Sequence, residues 1–426
     1  MKRYDSYKDS GVEWLGEIPN SWNIFRGKIL FQNIVDKNHP NEPLLSVTQK
    51  DSVVKRSEMK NKVWNPNSDV TGYKLIKNGD FVISLRTFEG GVELSEIQGI
   101  VSPVYTVLRR RVNFFDRYFK YLLKSSTFIT EINKVTTGIR QGKNISYDDF
   151  SEIKFPFPEL NEQKKIGEYL DTKTSLIDSL IEKTQRKIEL LKEKRTSLIN
   201  EVVTKGLNPN VEMRDSGMDW IGEIPNGWEM KKIKFIFQEK KSTKNFQLNS
   251  GSISFGVVVY KDDEKIPEST KESYQELLKG EFLINPLNLN YDLKSLRIGM
   301  SRIDVVVSQG YIILILLDGF NEFYFEYLLR KFDVVYMKSL GQGVRQTISY
   351  NDIKVEPLVI PPLTEQQQIV EYLDKQTVLI DKTISIEEKR IELLKEYRQS
   401  LISEVITGKI RVSKVDNSLR LNSQNI

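Results

Sequence analysis

Few stretches of this chain carry the residue types from which catalytic sites are built. Glu152-Ile153-Lys154 has the E-x-K spacing of half a nuclease carboxylate–lysine cluster. Asp352-Ile353-Lys354 occupies the same slot later in the chain, and such triplets arise often by chance, so a scaffold role is the better reading. Asn285-Pro286-Leu287-Asn288 shares two residues with the Asn-Pro-Pro-aromatic motif of amino-group methyltransferases but lacks the second proline and the aromatic ring. No G-x-x-x-x-G-K-[ST] loop and no G-x-G-x-x-G turn is present, so neither a nucleotide cradle nor a dinucleotide site is supported. His39 is the only histidine and there is no cysteine, which removes zinc sites, thiolate sites and Ser/His/Asp arrangements. His39 reads as a surface-loop residue in "KNHPNEP". The chain is expected to do no catalysis and to bind no metal or cofactor.

The bulk properties agree with a soluble protein. The 426 residues suffice for about three domain-sized units, and 39% hydrophobic with 28% charged residues is an ordinary globular composition. The start, "MKRYDSYKDS", has no apolar core of a secretory signal, and the longest apolar run, "YIILILL" at 311–317, is too short to span a bilayer. With the lack of cysteine, this points to a cytoplasmic protein. Residues 1–160 hold 24 Lys/Arg against 19 Asp/Glu, whereas residues 206–363 hold 19 against 21. A protein that gripped nucleic acid by bulk charge would be more basic. Any nucleic-acid contacts must be locally arranged or shared with a partner.

The elements that would position such contacts occur twice. "DSGVEWLGEIPNSW" at 9–22 returns as "DSGMDWIGEIPNGW" at 215–228, with ten of fourteen positions identical. "GIRQGKNISYDDF" at 138–150 answers "GVRQTISYNDI" at 343–353. Two long copies are too few for a solenoid. In the first copy 79–85, 99–110 and 152–158 read as strands and 115–135 as one amphipathic helix. In the second, 280–285, 304–317 and 354–362 fill the strand places. The copies agree at their edges and diverge over 24–98 and 230–303, as two related readers of different targets would.

A long helix follows each copy. Residues recur at spacings of four and three at Leu170, Thr174, Ile177, Ile181, Thr184, Ile188, Leu191, Arg195, Leu198 and Val202. The second series is Leu373, Thr377, Ile380, Ile384, Glu387, Ile391, Leu394, Arg398, Leu401 and Val405. That is a coiled-coil seam. Pro156 and Pro158 precede the first helix, and Gly206 and Pro209 follow it.

The doubled "GEIPxxW", the doubled "ISYDDF/ISYNDI", the "PELNEQ" and "PLTEQ" helix starts and the two long seams together resemble the specificity subunits of type I restriction-modification systems. The resemblance covers nearly the whole chain. It implies an α+β chain with two mixed target-recognition domains in tandem duplication, each followed by a long helix, the two helices packing as an antiparallel coiled coil. The boundaries would be 1–158 for the first recognition domain, 159–205 for its helical spacer, 206–361 and 362–408 for the second pair, and 409–426 for a C-terminal tail. It implies double-stranded DNA read as a split site, two methylation subunits and restriction subunits as partners. S-adenosylmethionine, ATP and magnesium would be bound by those partners rather than by this chain. Base readers should then be donor-rich positions of the variable parts. They are Arg86, Gln141, Lys143 and Asn144 in the first domain and Asn288, Asn290, Arg297 and Arg302 in the second. Arg140 with Gln141 and Arg345 with Gln346 recur in both copies, which suits phosphate contacts better. A coiled-coil adaptor without a DNA role and a self-sufficient nuclease stand as alternatives. A heptad inserted between Glu201 and Lys205 is expected to lengthen the spacer.

Overall fold

Alternation along two short strands builds each domain. The computed structural model describes residues 2–48, 52–59, 69–84, 87–135, 145–245, 247–287, 296–337 and 348–412. They fall into two units, residues 1–185 with 388–426, and residues 186–387. The division runs through both long helices. Each unit therefore contains one mixed domain, the start of the helix that follows it and the end of the other helix.

In the first unit Phe31–Ile34, Thr106–Arg110, Phe81–Ile83 and Glu93–Leu94 form, in that order, an antiparallel sheet. Successive side chains of a strand point to opposite faces. Phe81, Ile83 and Leu108 enter a core with Phe31, Phe119 and Phe150, while Val82 and Val107 enter a smaller one with Leu45, Ile76 and Val101. The Phe31 ring meets Phe81, Phe119 and Phe150 edge-on at 5.5–5.6 Å, the arrangement its quadrupole favours. The second unit repeats the design. Phe237–Glu239, Ile312–Leu316, Phe282–Ile284 and Ile298–Met300 form the sheet. Phe282 and Ile284 face the large core, and Leu283 and Ile313 the small one.

Three expected elements are divided. The helix expected over 115–135 is two, Asp116–Leu123 and Ser126–Val135. Ser125 ends the first by donating its hydroxyl to Leu122 O at 2.8 Å and starts the second by accepting from Phe128 N at 3.2 Å. The strand expected over 99–110 is Gly99–Val101 and Thr106–Arg110, in different sheets, with a turn closed by Tyr105 N donating to Ser102 O. The run 304–317 divides the same way, as Val305–Val307 and Ile312–Leu316, at the turn closed by Tyr311 N and Ser308 O.

The long helices are Leu160–Lys205, 46 residues, and Leu363–Ile406, 44 residues. At about 1.5 Å per residue the first is roughly 69 Å long. Within each unit the two helical segments run antiparallel. In the second unit Lys187 lies opposite Glu387 at 2.6 Å and Arg195 opposite Asp381 at 3.0 Å, so one numbering rises as the other falls. In the first unit Arg398 holds Asp178 with Nε at 2.9 Å and Nη2 at 3.2 Å. Arg398–Asp178 and Arg195–Asp381 are the same pair in the two copies. The seam positions Leu170, Ile177, Ile188, Leu373, Ile380, Ile384, Ile391 and Leu401 are buried, and Ile181, Leu191, Leu198 and Leu394 are half-buried. Glu387 is buried in the seam at the position where the first copy has Thr184. Among the described residues no helix is long and apolar enough to cross a membrane.

Candidate nucleic-acid interface

The duplicated motifs are the fastenings of each domain to the helices. Trp22 Nε1 donates to Glu162 Oε2 at 3.1 Å, and Trp228 Nε1 to Glu365 Oε2 at 2.8 Å. These glutamates open the long helices. The next residue, Gln163 or Gln366, accepts from the backbone N–H of Phe115 or Asn321 and donates to the carbonyl of Pro158 or Pro361. The far end of the other helix is tied in as well. Tyr118 Oη donates to Ile406 O at 3.1 Å, and Tyr324 Oη to Val203 O at 3.0 Å. Burial pushes both phenols well up, so they stay protonated donors. Gly408 and Gly206 close those helices with φ of 77° and 74°, where a Cβ would press on Trp22 and Trp228 respectively. Ser146 and Ser349 cap the short helices of the "ISY" motifs, and the neighbouring Tyr147 and Tyr350 donate to Phe31 O and Phe237 O. Trp22 and Trp228 lie in domain interiors and present no face to a base.

The charged hydrogen bond at Trp228 sets a measurable energy. Trp228→Phe is expected to cost the second unit about 1.5–3 kcal/mol, the range for hydrogen bonds to charged groups. Glu365→Gln should cost less, because the amide oxygen still accepts. Denaturant unfolding of the two variants beside the parent chain measures the difference.

Of the nominated DNA contacts, Arg86, Arg140, Gln141, Lys143, Asn144, Asn288, Asn290, Arg345 and Gln346 lie outside the described residues. Arg302 is on the surface of the second domain. Its guanidinium bridges to Glu326 at 2.7 Å and lies over the Phe323 ring at 4.9 Å. Arg297 is buried, with Nε 3.4 Å from Asp333 Oδ1. Asp333 also accepts the backbone N–H groups of Arg297 and Ile298, from a single π-helical turn, Phe332–Tyr336. Nη1 and Nη2 of Arg297 have no hydrogen-bond partner among the described residues. The structure thus brings neither of these arginines together with the other.

A hairpin projects from each small core and was not anticipated from the sequence. Leu45–Thr48 pairs with Ser52–Lys55, and Gly251–Ser254 with Val257–Tyr260. The parallel bridges Leu44–Ile100 and Ser250–Val306 attach them in the same way. The signal was available in "SISFGVVVY", where a two-residue X-Gly turn separates β-rich runs. The fastening differs between copies. In the first, Ser52 Oγ donates to Glu93 Oε2 at 2.8 Å, and Lys124 Nζ holds the same carboxylate at 2.8 Å. Burial raises the Glu93 carboxyl against the pull of Lys124. In the second, Gly299 stands where Glu93 would be, and a Cβ there would overlap the carbonyl of Gly256 in the hairpin turn.

Two copies of one α+β domain, joined by helices that each begin in one unit and end in the other, define a duplicated two-domain helical-spacer protein. The family model described as type I restriction modification DNA specificity domain matches residues 15–190 and again 225–396. The chain belongs to that family. It is 26% identical over 338 residues to the type I restriction enzyme MjaVIII specificity subunit of Methanocaldococcus jannaschii, covering 75% of this chain and 76% of that protein. To the putative MjaX specificity subunit of the same organism it is 24% identical over 454 residues, covering 93% and 96%. Among solved structures, a chain from a study of complex assembly and conformational transition of the type I R-M system superposes with a TM-score of 0.68 at 15% identity. It covers 92% of this chain and 99% of that one. The crystal structure of the HsdS subunit from Thermoanaerobacter tengcongensis gives 0.55 at 15% identity, covering 92% and 98%. At this identity the two structures speak for the fold.

Proposed function

We propose that this chain is the DNA-reading subunit of a type I restriction-modification complex, with one domain for each half of a split site and the helix pair as the ruler between the halves. The observation that carries this reading is the twofold match of the specificity-domain family onto two domains whose fastenings repeat and whose interiors diverge. Two methylation subunits would flank the helices, and restriction subunits would join them. S-adenosylmethionine, ATP and magnesium would be held by those partners. Arg302 is the exposed candidate of the described pair, and Arg297 and the nine candidates outside the described residues stay proposals of the same kind.

The charge balance gives this reading a test. The second domain region carries 19 Lys/Arg against 21 Asp/Glu, too little to neutralise many phosphates unaided. The purified chain alone is expected to bind duplex DNA weakly and without sequence preference at physiological salt. Adding the cognate methylation subunit should yield sequence-specific binding with a steep salt dependence. Nanomolar specific binding by the lone chain, measured by fluorescence anisotropy, would contradict the shared grip.

A further inference from the structure

Phe255 occupies the tip of the second hairpin in a way that the fold does not account for. Its φ is 47° and that of Gly256 is 76°, so both turn residues are left-handed. Such turns favour Asn, Asp and Gly, and an aromatic residue there is disfavoured by its own Cβ. Burial does not compensate, because the residue is 73% exposed. The tip is nevertheless held firmly. Gly256 packs against Leu296 and Ile298, and its carbonyl lies directly against Gly299. A strained turn is thus braced from behind and presents a ring to the outside.

We infer that Phe255 is an apolar base-contacting residue of the second reader, a wedge that packs against the bases of the half-site this domain reads. This rests on the DNA-reading function proposed above. The hairpin Gly251–Tyr260 carries no charge, so it offers phosphates no ion pair. Val257, Val259 and Tyr260 extend the exposed apolar surface behind the tip. On a duplex, the apolar surfaces are base faces and thymine methyl groups, and inserted apolar side chains are a known means of prising a step open. The first copy selects between occupants. There the sequence between the paired residues Thr48 and Ser52 is Gln-Lys-Asp, three residues with two charges against the uncharged Phe-Gly of the second copy. A partner common to both domains would meet features that repeat, as the tryptophan fastenings do. A tip that differs within a repeated frame suits the thing that differs between the domains, the sequence of the half-site. Leu296, against Gly256, directly follows the stretch that carries Asn288 and Asn290.

The test uses the full chain assembled with its cognate methylation subunits, and duplexes with 2-aminopurine placed in turn through each half-site. Phe255→Gly suits the left-handed turn, so its melting temperature should equal or exceed that of the parent chain. Base stacking on an aromatic ring is worth enough that binding should fall about ten-fold. The fluorescence change at one or two positions of the second half-site should vanish, with first-half positions unaltered, and Phe255→Trp should restore it. Parent-like affinity and fluorescence for Phe255→Gly would overturn the inference. So would a fall in melting temperature, which makes the ring structural, or failure to assemble with the methylation subunits, which makes it a protein contact. Absence of specific binding by the parent complex would instead strike the proposed function, and is read separately.

Discussion

Exchanging Asn23–Phe157 for the corresponding stretch of a related chain is expected to change one half of the methylated site and leave the other half, and the gap, intact. The strands Asn23–Arg26 and Lys154–Phe157 pair with each other, Asn23 with Phe157 and Arg26 with Lys154, so cuts outside them move a closed unit. Cuts at 24 and 155 would split that pairing. The fastening residues Trp22, Gln163 and Glu162 stay behind, and the incoming domain must supply tyrosines at the places of Tyr118, to reach Ile406 O, and Tyr121, to reach Asp171. A wrong base pair typically costs about 1–3 kcal/mol, so replacing a whole reader should lower methylation of the original site by roughly 100-fold or more. Methylation mapping of cells carrying the hybrid reads the outcome. A simultaneous change in both halves would mean that the two domains do not read independently.

The second large effect concerns the ruler. Inserting a heptad between Glu201 and Lys205 of one helix is not a clean lengthening, contrary to the expectation from the sequence. Val202 and Val203 lie in the core of the second unit with Trp228, and Tyr324 donates to Val203 O. Both helices are also fastened at both ends, Glu162 and Ile406 in the first unit, Glu365 and Val203 in the second. A single insertion would leave the other helix short and should abolish activity through misfolding. Paired heptads, after Gln185 and after Glu388, keep the seam nearly in phase and add about 10 Å at roughly 1.5 Å per residue. The preferred gap should then grow by about three base pairs at roughly 3.4 Å each. Three pairs also turn the duplex by about a third of a turn, so the longer gap should be methylated more slowly than the parent site. The bases in each half should not change. An unchanged gap at full rate would mean that the helices do not set the distance.

The parts of this architecture that were legible in the sequence are those with a local period or a near-literal repeat. The seams from Leu170 and Leu373 announce themselves at every turn of helix, and the Trp22 and Trp228 segments announce duplication. What tied them together was not legible. Trp22 and Glu162 are 140 residues apart, and nothing in either motif names the other. The division of 115–135 at Ser125 was hidden because an amphipathic pattern continues across a serine that bonds both ways. The hairpin at Gly251–Tyr260 was hidden for another reason. Val258 is buried while Val257, Val259 and Tyr260 around it are exposed, so an unbroken apolar run conceals the alternation of a half-buried strand and only the Phe255-Gly256 turn signals the hairpin. Position Arg297 shows the converse limit: a donor-rich residue type in a variable region does not tell whether its side chain is exposed, and this one is buried beside Asp333, 36 residues on.

One chain that reads two different half-sites at a fixed separation should leave a single kind of mark on the genome. Mapping methylated adenines genome-wide in the native strain, with and without this chain, tests it most directly. Removing the chain should erase one split motif, two unlike specified halves flanking an unspecified gap of constant length. Loss of a continuous motif, or an unchanged methylation pattern, would contradict it.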